Sequence, residues 1–368
     1  MRSSEPAENS VVVVFAFLYL ALFSLSCPAQ DFGVPSSGPS PTICPASAAD
    51  NVAITVEVTD KSGHPITGLE AADFKIFDNK QSQKILAFRS VDAAHPPPVP
   101  MQVQIVIDAV NADAALVAQE RDGVTAFLKQ NSGRLEFATS LSILENSGLT
   151  PIAGPSKDGT ALLTALNAAP ALLRVINRSA GIWGAVERTE QATTLLKEMV
   201  SPESRTPGRK LVLFLSPGWP MLFNYELDQR GWLFDEIVDI SNGLRESCIS
   251  LYTLTPSNFG SNLAPSPAGD NLSLHDNFLN GVTKIADAQY ADLSLQVLSE
   301  HSGGQVFIGA NDIKTEINSI LRSAAESYTL VFERAPGGRV TEYHAIRVVI
   351  DKPAVKIHTT AGYYVNGP

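Results

Sequence analysis

Apolar and polar positions change rhythm three times along this chain. From Asn51, the residues Val52, Ile54, Val56 and Val58 alternate with polar or small ones, the two-residue period of a half-buried strand. Asp60-Lys61-Ser62-Gly63 supplies a turn and Ala71-Ala72-Asp73 one helical turn. Phe74, Ile76, Ile85, Leu86 and Phe88 then bracket the polar tip Asp78-Asn79-Lys80. Residues 50–92 read as a small β unit, followed over 93–100 by a stiff proline-rich linker. Beyond Pro100, strands and helices alternate. Val103 to Ile107 is apolar except for Gln104, as in a strand buried on both faces, and 113–130 carries Leu116, Val117, Val124, Phe127 and Leu128 at helical spacing. A weaker strand falls at 135–144, helices at 160–173 and 182–200, a strand at 210–215, a helix at 234–245 and a strand at 249–254. A helix at 288–301, stopped by Gly303-Gly304, and a strand at 305–308 complete the series.

This alternation over 101–326 predicts an α/β domain with a doubly wound, mostly parallel, Rossmann-like sheet. Strand patterns return at 328–332, 343–350 and 355–359, so 327–368 reads as a C-terminal β extension. The two β segments are expected to pack together, with the α/β domain inserted between them. Residues 256–284, rich in Asn, Ser, Pro and Gly, form a functional or unstructured loop.

At the N-terminus, Arg2 precedes an apolar and small-residue run over 11–26, and Cys27-Pro28-Ala29 offers the small residues that signal peptidase reads. Residues 1–29 are expected to be a cleaved signal peptide, with a retained anchor as the alternative, and 30–49 a flexible spacer. The expected location is periplasmic or extracellular, with no membrane insertion after cleavage. The net charge of −11 argues against nucleic acid or an anionic membrane as partner. Cys44 and Cys248 would survive cleavage, and an oxidising compartment permits a disulfide between them. The alternative leaves Cys248 as a small buried hydrophobe.

Five motifs then occur in order: Val58-Thr59-Asp60-Lys61-Ser62-Gly63-His64-Pro65-Ile66-Thr67-Gly68-Leu69 with Asp73-Phe74-Lys75-Ile76-Phe77-Asp78; Ile105-Val106-Ile107-Asp108-Ala109-Val110-Asn111; Pro207-Gly208-Arg209-Lys210-Leu211-Val212-Leu213-Phe214-Leu215-Ser216-Pro217-Gly218; Ser302-Gly303-Gly304-Gln305; and Ala361-Gly362-Tyr363-Tyr364. Together they resemble the von Willebrand factor A-related proteins of the type abundant in Acidobacteria, over nearly all of the mature chain. The resemblance implies an A-type domain with a metal-ion-dependent adhesion site at the carboxyl ends of its strands. Such a site takes an Asp and two hydroxyls after the first strand, a Thr from a second loop and an Asp after a later strand, hard oxygens suited to Mg²⁺. Asp108 fills the first position, but the hydroxyl positions hold Val110 and Ala112, and the later Asp is Pro217. The Thr position is Thr160 or, at better spacing, Ala180 in Ser179-Ala180-Gly181. Asp108, Asn111 and Thr160 are therefore vestigial candidates. No metal or other cofactor is expected, with Mg²⁺ the alternative, and Asp108 reads as a residue that hydrogen-bonds or caps the loop into the next helix.

An enzyme is not expected. Ser216 follows an apolar strand and His301 lies downstream, but a nucleophile elbow needs Gly where Phe214 stands. No pair of histidines has zinc-ligand spacing, and no phosphate-binding glycine loop is present. The expected function is an exported, metal-independent protein-binding or adhesion-like module that uses its strand-end face. Asp108, Asn111, Ser216 and Trp219 form the expected binding surface, with Trp219 and Phe223 as aromatic anchors if exposed and as core residues otherwise. The alternatives are a structural envelope component without a dedicated ligand, metal-regulated adhesion and, last, serine hydrolysis through Ser216.

Overall fold

The alternating apolar positions of the first strand meet their partners almost three hundred residues later. The computed structural model describes residues 51–169, 182–201, 205–222, 230–256, 275–335 and 339–365. The chain begins with β1 (Asn51–Thr59), β2 (Phe74–Asp78), β3 (Gln81–Gln83) and β4 (Ile85–Val91). There follow β5 (Gln102–Asp108), α1 (Ala114–Leu128), β6 (Arg134–Glu145), β7 (Gly148–Asp158), α2 (Gly159–Ala168) and α3 (Ile182–Val200). Next come β8 (Lys210–Leu215), α4 (Arg230–Glu246), β9 (Ile249–Thr255), α5 (Leu295–His301), β10 (Val306–Ile308) and α6 (Ile313–Ala325). The chain ends with β11 (Ser327–Glu333), β12 (Tyr343–Ile350), β13 (Lys356–Thr359) and β14 (Gly362–Tyr364).

Two antiparallel four-stranded sheets, β13-β1-β11-β4 and β14-β12-β2-β3, take strands from both chain ends. Val52, Ile54, Val56 and Val58 face Phe74, Ile76, Leu330, Phe332, Ile346 and Val348 in one core. Residues 50–92 and 327–368 are thus halves of one sandwich, because neither alone has a second face to bury its apolar stripe.

The third sheet has the order β10-β9-β8-β5-β6-β7, parallel except at β7. Val103, Ile105 and Ile107 of β5 enter one core with residues of α1, α2 and α6, while Val106 enters the other with residues of α3, α4 and α5. Three helices begin on an aspartate that accepts a backbone N–H: Asp113 from Leu116 (2.9 Å), Asp158 from Thr160 (2.9 Å) and Asp312 from Thr315 (3.1 Å).

The sequence expectations are corrected at four places. The weak strand at 135–144 is the first arm of a hairpin whose second arm, β7, was unexpected, since Pro151 and Pro155 disguise it. Helix α6 was not foreseen. The helix expected at 288–301 is a short turn at Tyr290–Leu293 followed by α5, broken by the extended backbone of Ser294. The helix expected at 160–173 ends at Ala168, and 170–181 lie outside the described residues. Among the described residues, no helix is long and apolar enough to cross a membrane.

Candidate functional site

Asp108 ends β5 at the carboxyl edge of the parallel sheet, where open α/β sheets place their ligands. Its side chain is wholly buried. Oδ1 accepts the backbone N–H groups of Val110 and Asn111, each at 3.0 Å. Oδ2 accepts the Asn111 amide (3.0 Å), the Ser216 hydroxyl (2.7 Å) and the Trp219 indole N–H (3.2 Å). Five donors therefore surround one carboxylate. Burial pushes this carboxyl above its ordinary value, and the hydrogen bonds from Ser216, Asn111 and Val110 pull it back. All five partners donate, so the arrangement fits the ionised form.

The turn after β8 delivers the indole. Gly218 adopts φ +87°, and a Cβ there would lie 2.6 Å from the Gln296 amide nitrogen, so glycine alone allows the close approach. Gln296 then clamps Trp219, accepting its N–H at 3.0 Å and donating to its carbonyl at 3.1 Å. The indole packs edge-on against Phe214.

This donor set does not fit a divalent cation. The carboxylate's lone pairs already point at N–H and O–H groups, and a cation needs oxygen ligands that these positions lack. Val110 is buried in one core and Ala112 in the other. Thr160 lies at the wrong end of the sheet: it packs against Gly133 just before β6, whereas Asp108 pairs with Leu144 near the other end of that strand. Ten strand residues separate the two levels, roughly 30 Å. Ala180 and Phe223 lie outside the described residues.

The expected binding surface is corrected too. Asp108, Ser216 and Trp219 are 0% exposed and Asn111 6%, so these side chains seal the strand-end face from within. Ser216 and His301 are not brought together. Ser216 serves Asp108, while the half-buried His301 bonds the Leu279 carbonyl at 3.1 Å and lies at the far end of α5.

Four other buried polar groups escaped the sequence reading. Glu120 of α1 is fully buried and neither of its oxygens has a hydrogen-bond partner. Burial, then the charges of Asp108 and Asp113, raise its carboxyl well above the usual range. Glu57 accepts from Arg209 (2.5 Å), Tyr252 (2.9 Å) and Ser323 (2.8 Å), joining the sandwich to the α/β domain. Asp78 accepts from the Tyr363 hydroxyl (2.7 Å) and the Ala335 N–H (3.1 Å), and lies 2.7 Å from His344 Nδ1. Burial raises the Asp78 carboxyl, but these contacts outweigh it and hold the group below its ordinary value.

Asp292 accepts the Gln289 N–H at 2.8 Å, and burial pushes its carboxyl up to about 7. An unfolded Asp ionises near 3.9, so from about pH 4 to about pH 7 the unfolded chain releases a proton that the folded chain keeps. Stability therefore falls across this window and is level above it. Asp292→Asn keeps an acceptor for Gln289 and removes the slope, stabilising the protein at about pH 8 by up to about 4 kcal/mol. Urea melts of both proteins at about pH 4 and about pH 8 check this, and equal pH slopes would refute it.

Cys248 is disulfide-bonded, and its expected partner Cys44 lies outside the described residues. No protein-family model matches the chain, and no curated protein does. Among solved structures, the human COPII-coat protein Sec24c is similar over 73% of this chain, with 9% sequence identity and a TM-score of 0.30. The match spans 44% of Sec24c, and a likeness at this level carries no argument about function.

Proposed function

We propose that the chain is an exported, non-enzymatic protein-binding module of the von Willebrand factor A-related type, and that it binds without metal. The saturation of Asp108 by five protein donors carries this reading. It leaves the strand-end face no cation with which to capture a partner's carboxylate, so recognition falls to shape and apolar side chains around the sealed centre. The A-type assignment is supported by the five ordered motifs and by a six-stranded sheet whose first strand lies centrally and whose antiparallel edge strand is the third.

The side chains available at that face differ from those first expected. Trp232, in the first turn of α4, is 45% exposed, and Ile308, at the carboxyl end of β10, is 56% exposed. Ile285 is exposed on a turn whose neighbour Ala286 accepts a hydrogen bond from Arg230 at the start of α4. Aromatic and aliphatic groups of this kind anchor interfaces. The test is Trp232→Asp combined with Ile308→Asp, with an unchanged melting temperature as control. The reading expects the variant to lose the exported-fraction proteins that the wild type retains on a column. Retention of all of them would defeat it. Concentration-dependent oligomers in light scattering, unaffected by the variant, would favour a structural envelope component instead.

A further inference from the structure

A cavity of about 400 Å³ lies between the sandwich and the amino ends of the six-stranded sheet, on the side opposite Asp108. Residue choice opens it. Along β1, Val52, Ile54, Val56 and Val58 turn into the sandwich core, so Ala53 and Thr55 face the α/β domain. On β11, Thr329 is the partner of Thr55 and Ser327 that of Glu57. The sandwich therefore gives this wall the small side chains of Ala53, Thr55, Ser327 and Thr329, which leave a gap before Met101, Phe137 and Ile249 on the opposite wall.

Among the described residues, three cations line the cavity: Lys157, Arg209 and Arg245. Lys157 is exposed to solvent. Arg209 is matched, because the Glu57 charge outweighs its burial and holds the guanidinium above its ordinary value. Arg245 is not. Its side chain is 9% exposed, its Nε has no hydrogen-bond partner, and its Nη2 reaches Glu246 at 3.5 Å, the outer limit of a hydrogen bond. Glu246 makes a closer contact, 3.0 Å, with Arg205. Burial pushes the Arg245 guanidinium down, and the Glu246 charge does not make up the difference. A buried cation in this state gains from an added anion, and its planar fork matches a carboxylate. Asp92, Glu136 and Glu326 also line the cavity, so a second negative charge on a ligand would meet repulsion.

We propose that the cavity binds a monocarboxylate of the fatty-acid class, its carboxylate paired with Arg245 and its chain lying along Met101, Phe137 and Ile249. If each non-hydrogen atom takes about the 30 Å³ of a liquid water molecule, the cavity holds roughly a dozen, an acid of about ten carbons. The inference stands apart from the strand-end reading, since it concerns the other end of the sheet.

Equilibrium dialysis of the full chain against decanoate, decanol and decyl phosphate tests it. One decanoate per chain is expected, with decanol and decyl phosphate each bound at least about tenfold more weakly. Arg245→Gln is expected to weaken decanoate about tenfold and to leave decanol unchanged. Ala53→Phe, which keeps Arg245 but fills the cavity, is expected to abolish decanoate binding with the melting temperature maintained, so the proposal remains testable should Arg245→Gln fail to fold. Absence of decanoate binding at millimolar concentration, decanol or decyl phosphate bound as tightly as decanoate, or undiminished decanoate binding by Ala53→Phe would each overturn the proposal.

Discussion

Replacing Arg209 by Met is expected to lower the unfolding free energy by about 3–5 kcal/mol, the cost of stranding one partner of a buried ion pair. Glu57 is 1% exposed, and its three side-chain donors, Arg209 just before β8, Tyr252 of β9 and Ser323 of α6, come from three separate places in the α/β domain. Removing the guanidinium leaves the carboxylate with two neutral donors and no countercharge. Burial disfavours the charged form of Arg209, but the Glu57 charge more than offsets this and holds the guanidinium above its ordinary value. Arg209 also donates to the Ala324 carbonyl at 3.1 Å, which adds to the loss. Glu57→Gln in the same chain is expected to recover most of the stability, because a neutral amide removes the stranded charge. Urea unfolding of both single variants and the double variant measures the coupling. A loss below about 1 kcal/mol for Arg209→Met would place the pair in solvent rather than in the interior.

Asp108→Ala is expected to destabilise by a similar amount, about 3–5 kcal/mol, for a different reason. Here five donors lose their acceptor, and each buried donor left unpaired costs about 1–3 kcal/mol before water or rearrangement relieves part of it. The sign of the effect is diagnostic. In a cation-binding loop kept free of metal, removing a carboxylate relieves repulsion and the protein gains stability. In this interior, where Ser216, Asn111 and Trp219 converge on one carboxylate, removing it opens a polar hole beneath Trp219. Melting of the variant in the presence of a chelator distinguishes the two outcomes directly.

The α/β alternation was legible because Val103–Ile107 and Lys210–Leu215 are nearly unbroken apolar runs, and such runs are buried on both faces. The pairing of the chain's two β ends was legible from their complementary one-sided patterns. Helix α6 carries a clear signal in its residues: Asp312 as cap, then Ile313, Ile317, Ile320, Leu321 and Ala324 along one face. At the site, that Val110, Ala112 and Pro217 offer no side-chain oxygen could be read from residue type alone. The donors that surround Asp108 could not. Trp219 reads as an exposed anchor or a core residue equally well, and its place against Asp108 depends on the φ of Gly218 and on Gln296, 77 residues later. Glu120 was hidden in the charged run Glu120-Arg121-Asp122, where a solvated helix face is the ordinary expectation. Asp78 and Tyr363 stood in the recognised motifs, and the structure gives those motifs a shared role, a hydrogen-bonded cluster inside the sandwich.

The central claim of the proposed reading is that five protein donors occupy Asp108 and leave it no cation to hold. It is tested most directly by the melting temperature of the wild-type protein in millimolar Mg²⁺ or Mn²⁺ against the same protein in chelator. Any ion that binds the folded form alone raises the melting temperature by mass action. The account predicts coincident curves, with Asp108→Ala melting lower than the wild type in both conditions. A metal-dependent rise of several degrees in the wild type, absent from Asp108→Ala, would contradict it.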